Sequence, residues 1–300
     1  MPESLFQAMG QTTGQTMGQT TTHTIRSALS FAEGARWHDG RLWFSDLYTH
    51  QVEAIDLAGR AEIVARVPQR PSGLGFMPDG TPLVVSMLDR CLLAINPDGT
   101  TRLVADLRDV AGGPCNDMVV DRHGRAYVGN FGYDKNNGEP PKLTRIIRVD
   151  PDGSIHQTGS AVSFPNGMVI TPDERHLIVA ETFAHRVSMF DIDSKGDLLA
   201  HRFFAEIDGC NPDGIALDAE GAIWIADPAG KRALRVFEGG RIAREITFEP
   251  GRGAYTCTLG GREKRTLYIV TNTSSGPQMA GLRDGRIETI EVDVPGAGWQ

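Results

Sequence analysis

Glu33, Ser72, Asn116, Asn166, Asp213 and Thr256 each open a stretch of the same kind: a polar residue, an apolar run, a tight turn and a second apolar run. The set holds two carboxylates, two amides and two hydroxyls, so every member offers an oxygen lone pair. Glu33, Asn116, Asn166 and Asp213 are the strong donors. Oxygen-only ligation suits a hard divalent cation, Ca²⁺ first, with Mg²⁺ or Mn²⁺ next. Zn²⁺ and Fe²⁺ fit less well without His or Cys ligands, although Cys115 and Cys257 stand beside the set. Two carboxylates in a narrow channel would otherwise repel until one took a proton. Asn and Asp also satisfy backbone groups where strands begin. That explains any one of these residues; it is a weaker account of four strong donors in one phase.

The elements that must bring them together are strands. "EGARWHDGRLWFSD" begins at Glu33, "SGLGFMPDGTPLVVS" at Ser72, "NDMVVDRHGRAYVGN" at Asn116, "NGMVITPDERHLIVAE" at Asn166 and "DGIALDAEGAIWIAD" at Asp213. A weaker sixth copy, "TCTLGGREKRTLYIVT", is aligned from Thr256. Each hairpin is followed by a third strand such as "RVSMFDID" and a more variable fourth such as "TRLVADL". Pro-Asp-Gly turns at 78–80, 97–99 and 151–153 punctuate the units. A period of roughly 40 to 50 residues is that of four-stranded propeller blades. The reading is an all-β, six-bladed β-propeller forming one domain over 25–300. Strand starts gather at one mouth of a propeller's channel, so residues in one phase meet around its axis.

Composition narrows the class further. A net charge of −8 argues against a nucleic-acid surface, and no apolar run reaches the eighteen or so residues of a membrane span. Cys91, Cys115, Cys210 and Cys257 show no C-x-x-C spacing, which suits a reducing cytoplasm. No basic and apolar leader opens the chain, so the expected location is cytoplasmic. The polar near-repeat "GQTTGQTMGQTTT" leads us to expect a disordered tail over 1–24.

These stretches resemble the SMP-30/gluconolactonase/luciferin-regenerating enzyme (LRE) family of six-bladed propellers, from about residue 30 onward. "FAEGARWHDGRLWFSD" is similar to the family's opening Glu motif with Glu33. "FPNGMVITPDERHLIVAET" matches the Asn motif with Asn166, and "NPDGIALDAEGAIWIAD" the Asp motif with Asp213. "GGPCNDMVVDRHGRAYVGN" contributes Asn116. The resemblance implies one divalent metal on these four residues and hydrolysis of a small-molecule lactone. The metal would polarise the lactone carbonyl, and Asp213 would take the proton of the attacking water. Sugar-lactone members often carry an Arg two residues before the Asn-Asp pair; here that position is Pro114, followed by Cys115. The insertion "NFGYDKNNGEPPK" brings Phe131 and Tyr133 toward the expected mouth, favouring a less hydroxylated five- or six-membered lactone beside a sugar lactone. Ser72, Cys115, Phe131, Tyr133, Glu181 and Thr256 are therefore the expected substrate contacts.

Other signals weigh less. "DIDSKGD" starts like a calcium loop, but Lys195 occupies a ligand position, and a hairpin turn explains it. His50 and His185 read as surface-turn residues. A phosphotriesterase or aryl esterase on the same site, and a non-catalytic interaction propeller, are the competing readings.

Overall fold

Each stretch that opens on a polar residue becomes the start of a four-stranded antiparallel sheet, and six such sheets make a propeller. The structure is a computed structural model and describes residues 21–297. The innermost strands are Ala32–His38, Pro71–Phe76, Cys115–Val120, Pro165–Ile170, Ile215–Leu217 and Gly253–Gly260. They touch one another in sequence around the axis, the last against the first. Inner strands are apolar and buried, as both faces meet neighbouring blades. Outermost strands such as Ala61–Arg66 and Thr101–Asp106 are mostly exposed, which accounts for their variable sequence.

The core lies in the wedges between blades. One apolar cluster fills each gap; Val169 and Ile178 of the fourth blade, for example, pack on Ile215 and Ile223 of the fifth. The sixth blade is built from both ends of the chain. Its outermost strand, His23–Leu29, pairs antiparallel with Gly285–Glu291 and closes the ring. The polar-tail expectation lies outside the described residues up to residue 20, whereas His23 and Thr24 belong to this closing strand.

Close packing at the axis dictates glycine. A Cβ on Gly167 would stand 2.5 Å from the Ile215 nitrogen, and one on Gly214 would stand 2.6 Å from the Thr256 Cα. Each of these glycines directly follows a polar strand-start residue, so the crowding fixes where that residue sits. No helix among the described residues is long and apolar enough to cross a membrane. The 3₁₀ turns Lys135–Asn137, Thr182–Ala184 and Pro277–Ala280 each contribute residues to one cavity at the end where the inner strands begin.

Candidate active site

Register shows how the site is assembled. In five blades, the residue opposite the end of the second strand is followed by Glu33, Ser72, Asn116, Asn166 or Asp213. A bulge follows immediately in the first four of these blades, and it turns the polar residue off the regular ladder. The sixth blade departs from the sequence alignment. Gly253 pairs with Asn272 and Ala254 with Thr271, so Ala254 stands level with the ring residues in the ladder, while Tyr255 is the residue of this strand that lines the cavity. Thr256 lies two residues further along, level with Leu74, Met118 and Met168 and fully buried.

Glu33, Asn116, Asn166 and Asp213 line one cavity of about 580 Å³. Below them Arg36 and Asp117 form a buried ion pair at 2.9 Å, and Arg36 also donates to the carbonyls of Ala35 and Met118. Three carboxylates against one guanidinium leave two negative charges. Burial above all, then the charges of Asp213 and Asp117, pushes Glu33 well above its ordinary 4.5. Burial, followed by Asp117, does the same to Asp213, against a hydrogen bond from Asn166 and the pull of Lys135. One oxygen of Asp213, Oδ1, is buried with no hydrogen-bond partner.

The amides are oriented by their nitrogens. Asn116 Nδ2 donates to the Pro165 carbonyl at 3.2 Å, and Asn166 Nδ2 to Thr182 Oγ1 at 3.2 Å. Thr182 in turn donates to the Pro212 carbonyl at 2.9 Å. The carbonyl oxygens of both amides are left with lone pairs to offer. An orphaned carboxylate oxygen, a second carboxylate and two amide oxygens around a floor of charge −2 fit a hard divalent cation. Among the described residues no three His, Cys, Asp or Glu side chains converge as a metal set, so such an ion would depend on the amides.

The walls are a tier above this ring. Phe31, Arg70, Phe164 and Asn211 each stand two residues before a ring residue, and all four line the cavity. Arg70 and Phe164 hold left-handed backbone, with φ of 68° and 50°, directly before Pro71 and Pro165. Aromatic rings make a collar. Phe131 stacks on Phe164 at 4.2 Å, Phe183 leans on Phe164 at 4.6 Å, and Phe31 meets Tyr255 edge-on at 4.9 Å.

Of the residues expected to contact substrate, Phe131 is on the cavity wall. Tyr133 lies behind it, buried and packed against Phe164 at 6.3 Å, because the loop folds back under the collar. The other four also lie off the wall. Ser72 is buried, its carbonyl taking the Ser45 hydroxyl. Cys115 sits in the apolar wedge between the second and third blades, where burial pushes its thiol up to about 12. Thr256 packs against Gly214. Glu181 is fully buried and accepts from the Ser163 N–H, Arg186 and the Ser188 hydroxyl. Burial alone would raise Glu181, but these donors hold it below its ordinary value. His185 caps the Cys210 carbonyl from an exposed turn.

Sequence reasoning missed Asp117, Arg36, Arg70, Phe164, Thr182 and Asn211. The same repeat could have supplied three of them, since Arg70, Phe164 and Asn211 share one phase, as do the ring residues.

Known proteins resemble this chain in sequence and in fold. A 6-deoxy-6-sulfogluconolactonase of Pseudomonas putida is 27% identical over 266 residues, covering 85% of this chain and 88% of its own. A pentonolactonase of Haloferax volcanii is 26% identical over 268 residues, covering 88% and 89%. The crystal structure of regucalcin from Agrobacterium tumefaciens, described as a calcium-binding protein, superposes with a TM-score of 0.76 at 20% identity. It covers 93% of this chain and 96% of its own. The profile of the SMP-30/gluconolactonase/LRE-like region matches residues 31–273, and the chain belongs to that family.

Proposed function

We propose that this protein hydrolyses a small-molecule lactone to its hydroxy acid with the help of one divalent cation held by Glu33, Asn116, Asn166 and Asp213. The observation that carries the reading is Asp213, a buried carboxylate with a partnerless oxygen, in one cavity with a second carboxylate that belongs to no ion pair among the described residues. Such a pair is poorly stable in an empty site and is well suited to a hard ion. When bound, the ion would supply Lewis-acid polarisation of a carbonyl. Calcium is the first choice, in keeping with the description of regucalcin. The two lactonase relatives support the substrate class.

The chain's own residues do the rest. Asp213 accepts the proton of the attacking water, since it is the base at the floor with an uncommitted oxygen. Asn166, fixed by Thr182, orients that carboxylate. The aromatic collar takes the apolar edge of the ring and keeps bulk water from the ester carbonyl. All four cysteines are unpaired, in keeping with a cytoplasmic location.

A pH-indicator assay over a lactone panel, with a phenyl ester and a phosphotriester as comparison substrates, tests the reading. Lactone hydrolysis abolished by chelator and restored by a divalent cation is the expected result. Turnover of only the ester or the phosphotriester would reassign the activity, and undiminished lactone hydrolysis in chelator would remove the ion from it.

A further inference from the structure

Two cations stand in the wall of this otherwise acidic and aromatic cavity, Arg70 and Lys135. Neither takes part in an ion pair among the described residues. Most other arginines around the propeller are matched, as with Arg36 to Asp117, Arg148 to Asp150 and Asp197, Arg186 to Glu181 and Arg232 to Asp227. Arg70 lies instead over the Tyr48 ring, 4.8 Å from its centroid, and Lys135 over Phe183 at 5.3 Å. An aromatic face holds a cation in place while leaving its charge uncancelled and its N–H donors free.

The backbone is arranged to put Arg70 there. It takes a φ of 68°, a conformation that costs a non-glycine residue on the order of 1 kcal/mol or more. It occupies in the second blade the phase that Phe31, Phe164 and Asn211 occupy in three others, and all four residues face the cavity. In the third blade that phase is Pro114, which lies outside this wall. A guanidinium is thus present at this tier, in the blade before Pro114. Lys135 comes from the 3₁₀ turn Lys135–Asn137 in the loop after the second strand of the third blade. Two elements from neighbouring blades therefore bring into the lining of one cavity two positive charges that have no ion-pair partner among the described residues.

The floor is where the ester must lie if Asp213 is to activate water. A ring bound there presents its substituents to the collar and to these cations. We infer that the cavity selects lactones carrying an anionic substituent, a carboxylate or another oxyanion, which Arg70 and Lys135 bind while the ester carbonyl reaches the floor. The inference rests on the lactonase reading for the chemistry, and on Arg70 and Lys135 alone for the charge. A guanidinium offers two parallel donors to a carboxylate, and the ammonium adds a mobile point charge. The collar treats charged and neutral rings of the same size alike, and the floor is unchanged by substitutions at Arg70 and Lys135, so such substitutions isolate what the two cations add.

A matched pair of five-membered lactones tests it: γ-butyrolactone and the same ring bearing a carboxylate on the carbon next to the ring oxygen. The wild type should favour the carboxylate by tenfold or more in kcat/KM, mainly through KM. Arg70→Gln and Lys135→Gln should each bring that ratio several-fold closer to one, Arg70→Lys should restore part of it, and raised salt should shrink it most in the wild type. A wild-type ratio near one, or a ratio unmoved by both substitutions, would overturn the inference. Binding of the ring-opened product, 2-hydroxyglutarate, measured by calorimetry against 4-hydroxybutyrate, separates this from the activity itself. If neither lactone is turned over, the lactonase reading fails for these rings. In that case tighter binding of the dicarboxylate that weakens in Arg70→Gln still upholds the anionic wall, and equal binding of the two acids refutes it.

Discussion

Two sets of carboxylates lie at the same end of the inner strand pairs, and they are treated in opposite ways. Asp46, Glu181 and Asp227 end the second strands of their blades and are saturated with donors. Asp46 accepts from the Ser30 and Phe31 N–H groups and the Ser30 hydroxyl, and Asp227 from the Asn211 and Gly230 N–H groups and Arg232. Each latches the loop that leads into its own blade's first strand. Glu33 and Asp213, at the start of those first strands, have only the Gly34 N–H and the Asn166 amide respectively, and burial first, then neighbouring carboxylates, pushes both well upward. The latches are wholly enclosed, whereas Asp213 is buried and Glu33 half-buried on the cavity wall, and the two sets differ above all in donor supply. The latches hold the propeller together, and the inner pair keeps its lone pairs for something the fold does not provide.

The contrast is broken most severely by emptying a latch. Glu181→Ala strands the partly exposed Arg186, the buried Ser188 hydroxyl and the Ser163 N–H. Leaving such donors unpaired costs about 1–3 kcal/mol each. Denaturant unfolding should show that loss, while turnover per folded molecule stays near the parent. A drop in turnover with unchanged stability would place Glu181 in the chemistry instead.

Next in size is the inner pair. Asp213→Asn keeps shape and one ligand oxygen but removes the base, so kcat should fall by about a hundredfold or more. The metal-free variant should be at least as stable as the parent, since a repelled buried charge is gone. Near-parental turnover with ion bound would leave Asp213 as a ligand only.

Gly167→Ala probes the positioning between the two sets. Its new Cβ would meet the Ile215 nitrogen at 2.5 Å and the Asp213 carbonyl at 2.6 Å, both backbone atoms that cannot swing away. Overpacking of this kind costs about 1–3 kcal/mol. The displacement of Asp213 should weaken ion binding beyond that stability loss, and calorimetry of the folded variant would detect it.

The smallest effect is on pH dependence. Because Glu33 and Asp213 are raised in the fold above 4.5 and 3.8, the metal-free native state binds protons that the unfolded chain releases. Their contribution is present below those ordinary values and is lost as pH climbs through the raised ones. Thermal unfolding in chelator should therefore fall by about 2–4 °C from pH 5 to pH 8, the scale of roughly 1 kcal/mol. Added cation should stabilise more at pH 8 than at pH 5, and Asp213→Asn should flatten the chelator curve.

Much of this was legible in the sequence because a repeat reports its own geometry. Five strand starts fell in phase, and four of them put Glu33, Asn116, Asn166 and Asp213 on one cavity. The sixth blade was misphased because its residue on the cavity wall is the bulky aromatic Tyr255, with Ala254 before it, and neither resembles the small oxygen donors of the other blades. The latch set was equally readable, as the last residues of "FSD", "VAE" and "IAD", yet it offered no reason to separate Glu181 from the pocket. Whether a carboxylate is saturated depends on loops folding over it. Arg70 and Phe164 face the cavity through left-handed backbone before proline, which composition does not announce. Lys135, Phe183 and Gln278 come from irregular turns whose length, not pattern, sets their reach.

Calorimetric titration of chelator-stripped protein with Ca²⁺, run beside Glu33→Gln and Asn166→Ala, is the most direct test of the inner pair's purpose. The account predicts one ion per chain, with affinity reduced at least tenfold by either substitution. Folded wild-type protein that hydrolyses lactones yet takes up neither Ca²⁺ nor Mg²⁺ nor Mn²⁺ would contradict it.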